Sequence, residues 1–220
     1  MRLRGVLAAV AACWALAAAA APPSFEQAVL AEINRARTQP RAVAAELRRY
    51  RALFQGHVVR EEGDPVGLTT FEGRRAVDEA IAFMERQEAL PPLADGAVLA
   101  RAAQGWAKAQ GADGRMGHGA GAGARVRAAG GDVYVGETIS YGMASPRAVA
   151  RQFIVDDGRL DRAHRAILFT RGFRYAGVGC APHAQYRNMC VIDYAETPDG
   201  APAPRRVAAV QLSRASAFSR

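Results

Sequence analysis

Apolar positions recur at helical spacing through most of the chain and switch to alternation only near its end. Ser24 and Gln27 form a capping box after Pro22-Pro23, and Phe25, Val29, Ile33 and Ala36 follow at intervals of three and four. This predicts an amphipathic helix from Ser24 to Thr38. Pro40 stops that helix and opens a second one through Leu53. Gly56 to Thr69 is polar and Gly-punctuated, so it reads as a long loop or a short strand. Thr69 and Glu72 form another capping box, and Val77, Ala80, Ile81 and Met84 make the inner face of the next helix.

Pro91-Pro92 breaks the chain again. Asp95 is the expected cap of a helix bearing Leu99, Ala102, Ala103, Trp106 and Gln110 on one face. The glycines from Gly111 to Gly123 predict a loop throughout. Ser145-Pro146 is a strong helix start, Val149, Phe153 and Ile154 are its inner face, and Asp156-Asp157-Gly158 ends it. Phe173 to Cys180 and Met189 to Ala195 alternate as two strands, joined by a turn holding Pro182 and Asn188. Thr197 to Pro204 reads as a linker, and Val207 to Leu212 as an edge strand or a tail. Helices in front and strands behind predict an α+β layered fold.

The N-terminus reads as an address. Arg2 and Arg4 precede an uncharged apolar stretch from Gly5 to Ala20, followed by Ala-x-Ala sites. This is the pattern of a secretory signal peptide over residues 1–21, and the run is shorter than the roughly 20 residues of a spanning helix. An uncleaved anchor is the alternative. Val10-Ala11-Ala12-Cys13 also resembles a lipobox, which would tether the chain through Cys13. Removing the leader leaves Cys180 and Cys190, an even pair suited to a bridge across a hairpin, with two buried thiols as the alternative. The expected location is secreted or periplasmic, with no transmembrane span in the mature chain.

Composition adds little. The formal charge is +8, and Lys108 is the only lysine among 29 basic residues. No basic run is interleaved with aromatics, so nucleic acid is not an expected partner.

Three polar residues could carry chemistry. His118 lies in the Gly-rich loop, Glu137 in Val135-Gly136-Glu137-Thr138-Ile139, and His164 in Asp161-Arg162-Ala163-His164-Arg165. All three are expected at the loop ends of elements. His118 and His164 could ligate one Zn²⁺, with Glu137 as third ligand or as base toward bound water. They could also act without metal, Glu137 orienting a histidine for proton transfer. Each histidine could equally be a loop residue satisfied locally, as expected for His57 and His183. Ser140 and Ser145 lack a nucleophile motif. Asp156 and Asp157 end a helix, where a carboxylate opposes the dipole, so arginine partners (Arg159, Arg162, Arg165) are the first expectation for them, with a bound cation or solvent alone as the alternatives.

The set resembles the CAP superfamily, the SCP-like extracellular domain, in its bacterial branch. The resemblance is carried by Ile33-Asn34-Arg35-Ala36-Arg37, Pro91-Pro92-Leu93, the His118 loop, Gly136-Glu137-Thr138-Ile139, His164-Arg165, Val178-Gly179 and Cys190-Val191-Ile192-Asp193-Tyr194-Ala195. It covers Ser24 to Ala195. Thr138 and Ile167 stand where the family has asparagines. The resemblance implies an α-β-α sandwich, with a small antiparallel sheet between helical layers, and a domain over residues 22–196 followed by a tail to 220. It also implies a cleft holding His118, Glu137, His164 and one more acid, Asp156 or Asp157. The function it implies is a secreted binding module for a lipid, a cell-envelope fragment or a protein. A zinc-assisted hydrolase or peptidase in the same cleft is the alternative.

Overall fold

The structure is a computed structural model and describes residues 22–203. Residues 1–21, where a leader and the Cys13 lipobox are expected, and the segment Val207 to Leu212 lie outside the described residues.

Helix α1 (Phe25–Thr38) begins with both halves of the Ser24–Gln27 capping box, and α2 (Pro40–Ala52) carries Pro40 in its first turn. A small antiparallel sheet follows: β1 (Phe54–Gln55), β2 (Val58–Val59) and β3 (Leu68–Thr69). Helix α3 (Arg74–Arg86) starts after Gly73 rather than at Thr69. The capping box expected there does not form, because Thr69 pairs within β3 while the Glu72 carboxylate accepts from the Gly158 amide and from Arg162. Asp95 likewise is not a cap. It pairs with Ala176 in β4 (Ala94–Asp95), and Gly96 opens α4 (Ala97–Asp113).

Helix α4 runs further than its glycines suggest. A Cβ on Gly111 would sit 2.2 Å from the Pro182 carbonyl oxygen, so glycine here serves close packing, and the helix ends only at Gly114. Then come α5 (Ala122–Ala128), β5 (Val135–Tyr141), α6 (Pro146–Val155), α7 (Ala163–Leu168), β6 (Tyr175–His183) and β7 (Arg187–Ala195). Pro182 and Asn188 lie inside the hairpin strands, and the turn itself is Ala184 to Tyr186. The segment after Thr197 is no free linker, since the Asp199 and Gly200 carbonyls accept from the Asp132 and Tyr134 amides.

The main sheet has the order β4-β6-β7-β5, antiparallel except for β4 beside β6. Alternation along β7 divides the core. Cys190, Ile192 and Tyr194 pack with α1, α2, α3 and α6, whereas Met189, Val191 and Ala195 pack toward α4 and α5. The result is the expected α-β-α sandwich. Helix α4 lies directly on β6 at Gly177 and Gly179, where a Cβ would come within 2.0 Å of the Ala100 amide and 2.2 Å of the Gln104 amide.

Two side chains of α1 knit the loops beneath the sheet. Asn34 exchanges two hydrogen bonds with the Leu93 backbone, at 2.9 and 2.7 Å. Arg37 is fully buried and donates to the carbonyls of Pro91, Leu168, Thr170 and Phe173. A buried guanidinium is tolerable because its planar fork finds four acceptors. Cys180 and Cys190 face each other across β6–β7 and form the expected disulfide, Cα to Cα 4.1 Å. Among the described residues no helix is long and apolar enough to cross a membrane.

Candidate functional site

The structure places the two site histidines in separate carboxylate–imidazole pairs. The first is built on the loop between α4 and α5. Gln110 donates to the Gly117 carbonyl at 2.7 Å, the Gly117 amide donates to the Tyr141 hydroxyl at 2.9 Å, and that hydroxyl donates back to Gln110 at 2.6 Å. Gly119 lies flat on Trp106, where a Cβ would be 2.6 Å from the indole ring. The closed ring of bonds and the stacked glycine fix His118 between them. Its Nδ1 meets Glu137 Oε1 at 2.6 Å. A carboxylate only accepts, so Nδ1 donates, and in the neutral ring Nε2 carries no proton.

Glu137 is not at a loop end as expected. It occupies the interior of β5, the edge strand, and is buried. Its second oxygen accepts from Arg125 of α5, whose guanidinium also donates to the His118 carbonyl at 2.7 Å and lies 4.5 Å over the Trp106 ring. Directly across the β5–β7 ladder from Glu137 stands Asp193, with no exposed surface at all. Burial, and then the neighbouring Glu137 charge, push the Asp193 carboxyl up to about 8, against the pull of Arg125.

The second pair joins α6 to α7. Asp156 ends α6 in the left-handed region (φ 53°), a conformation that aspartate accepts better than most residues. From there Oδ1 accepts from His164 Nδ1 at 2.7 Å, and Oδ2 accepts the backbone amides of His164 and Arg165, at 2.9 and 3.3 Å. One carboxylate therefore caps the start of α7 and orients its histidine. Phe153 lies against the imidazole, ring centroids 5.8 Å apart.

The arginine partners expected for the two aspartates are not found. Asp157 accepts from the Phe71 and Glu72 amides, at 2.7 and 2.8 Å. Arg162 and Arg165 turn instead to Glu72 and Glu79. Hydrogen bonding from Arg162 is the main reason that the Glu72 carboxyl is held down at about 2. This network pins α3 and the loop before it against the start of α7, which carries His164. Of the two acids considered for the cleft, Asp156 is the one that meets a site histidine.

The other expectations are structural. His57 contacts the Thr70 carbonyl, and His183 bridges the Arg115 carbonyl and the Gln185 and Tyr186 amides. Ser140 donates to Gln152, and Ser145 caps α6. Thr138, where the family has an amide, meets the Tyr194 hydroxyl at 3.2 Å inside the core.

Sequence reasoning missed Asp193 and Arg125. A signal for Asp193 existed: strict alternation over Met189 to Ala195 puts position 193 on the same inward face as Met189, Val191 and Ala195. An aspartate in such a row needs a partner. Arg125 carried no comparable mark among the many arginines.

Glu137 and Asp193 face the α4–α5 side of the sheet, whereas His164 sits between α6 and α7. Among the described residues no three His, Cys, Asp or Glu side chains are gathered as a metal ion would require.

The family model described as the Cysteine-rich secretory protein family (CAP) matches residues 30–194. The chain belongs to the CAP family, whose domains are generally extracellular. Comparison with curated proteins gave no match.

Proposed function

We propose that this chain is an exported, non-enzymatic CAP domain. Its His118–Glu137 and His164–Asp156 pairs recognise a lipid, cell-envelope or protein ligand. The observation that carries this reading is the bracing of both imidazoles through Nδ1 by buried carboxylates, with no hydroxyl or thiol hydrogen-bonded to either ring among the described residues. Ser140 and Ser145 are committed elsewhere, and Cys180 and Cys190 are joined. Fixed imidazoles with a bare Nε2 suit recognition of a donor on a ligand, but nothing is aligned for nucleophilic attack. His118 is the more open of the two, with 54 % of its side chain exposed. Export is supported by the leader pattern, the disulfide and the family. The Gly136-Glu137-Thr138-Ile139 and His164-Arg165 motifs support the bacterial branch.

The hydrolase reading needs His118, His164 and Glu137 on one zinc ion. Both Glu137 oxygens are already taken, by His118 and Arg125, and two imidazoles fall short of the three protein ligands of a catalytic zinc site.

The test is binding of the purified mature protein to vesicles, cell-wall fragments and envelope proteins, beside a His118→Ala/His164→Ala variant. The proposal expects at least a tenfold loss of affinity in the variant for the class that binds. Unchanged binding by the variant, or no binding by wild type to any of the three classes, would overturn it. Stoichiometric zinc in wild type and none in the variant would return weight to the hydrolase.

A further inference from the structure

Four buried side-chain atoms among the described residues have no hydrogen-bond partner: Trp106 Nε1, Arg125 Nε, and both carboxyl oxygens of Asp193. They belong to one neighbourhood. Arg125 stacks on Trp106 and bonds Glu137, and Asp193 lies opposite Glu137 within hydrogen-bonding reach of it. A native interior rarely leaves polar atoms unpaired, and a cluster of them asks for a cause.

The cause is chemical for Asp193. Two carboxylates are acceptors only, so neither can satisfy the other while both are ionised. Trp106 Nε1 and Arg125 Nε are donors in the same neighbourhood, but neither is bonded to Asp193. Glu137 faces it from β5 and Arg125 from α5, with His118 behind Glu137. Its β7 neighbours Val191 and Ala195 pack on the apolar side chains of α4, and β6 presents Gly177 beside it. Arg125 already serves Glu137.

We propose that Asp193 carries a proton which it donates to Glu137, making Asp193 the positioning residue of the His118–Glu137 pair. In this arrangement Glu137 receives three donors: His118 Nδ1, Arg125 and the Asp193 carboxyl. Its carboxylate is then fixed in the plane that His118 requires, and the pair keeps one negative charge between two acids instead of two. The upward displacement of Asp193 to about 8 agrees with this arrangement. The inference rests on the placement of Glu137 beside His118, and not on which ligand that pair meets. Its failure is therefore separate from failure of the binding reading.

The test is carbon NMR of aspartate-labelled wild-type protein at neutral pH, with the infrared spectrum beside it. The proposal expects the Asp193 carboxyl carbon at its protonated position, and a carboxylic-acid carbonyl stretch that disappears in Asp193→Asn. The amide of Asp193→Asn also donates, so the His118 Nδ1–H proton signal should persist in it. Asp193→Val removes the donor at similar size, and there the signal should be lost. An ionised Asp193 in wild type would overturn the proposal, as would identical His118 signals in the Asn and Val variants. If the valine variant does not fold, the wild-type spectrum decides alone.

Discussion

The carboxylate of Asp156 is joined to the imidazole of His164 at 2.7 Å from a residue whose own backbone is left-handed. The same carboxylate caps α7 and accepts from the ring's Nδ1, while the Asp156 backbone amide closes α6 on the Gln152 carbonyl. Replacing it with alanine removes three hydrogen bonds to a buried charged acceptor. Asp156→Ala should cost about 2–3 kcal/mol in denaturant unfolding, and Asp156→Asn distinctly less, since the amide oxygen still accepts.

Arg37 is the second point at which one side chain holds several segments. Its four acceptors come from the Pro91 loop and from the stretch Leu168 to Phe173. Arg37→Met should destabilise by about 3 kcal/mol, because the buried Leu168 carbonyl and three partly buried ones lose their donor. Arg37→Lys should not rescue it, since an ammonium has no planar fork to span them. Thermal unfolding of the two variants checks this.

Gly177 carries no side chain because α4 occupies that space. Gly177→Ala should cost about 1–3 kcal/mol by forcing the helix off the sheet, read as a lowered Tm. Substitution at Gly105, with open space around it, should leave Tm higher or unchanged, alanine being the better helix former.

Much of this was legible in the sequence, and the exceptions are instructive. The capping box at Ser24, the Ser145-Pro146 start and the β6–β7 hairpin with its disulfide are local signals that the fold keeps, whereas the Thr69–Glu72 box and the Asp95 cap yield to strand pairing and to Arg162. Strand β5 was not legible as a strand. Glu137 interrupts its apolar row, and the partner that makes this tolerable, Arg125, comes from another element. The end of α4 was misread because Gly111 is required by Pro182, a residue far along the chain. For the candidate site, motifs pick out both histidines and Glu137, and the structure sets each histidine against a carboxylate. The bond of His164 to Asp156 depends on a turn between helices, and the Asp193–Glu137 contact on strand register, neither of which motif spacing encodes.

Stability should fall on both sides of a maximum at about pH 4. On the acid side, Glu72 is held down at about 2 in the fold, so its contribution is present above the ordinary glutamate range and fades as the carboxyl protonates. On the alkaline side, Asp193 is raised to about 8, so the folded state holds a proton that the unfolded chain releases. Its contribution is full below the ordinary aspartate range and is lost as pH rises toward about 8. Tm should therefore drop by several degrees between about pH 5 and about pH 8, and Asp193→Asn should flatten that limb. Glu72→Gln should flatten the acid limb and leave the alkaline one.

The account turns on two imidazoles fixed by carboxylates with their outer nitrogens bare. Long-range proton–nitrogen NMR of the histidines in the mature protein tests this most directly. The account predicts the Nδ1–H tautomer with an unprotonated Nε2 at both His118 and His164 when the rings are neutral. A neutral Nε2–H tautomer at either ring would contradict it, because that histidine would then no longer donate to Glu137 or Asp156.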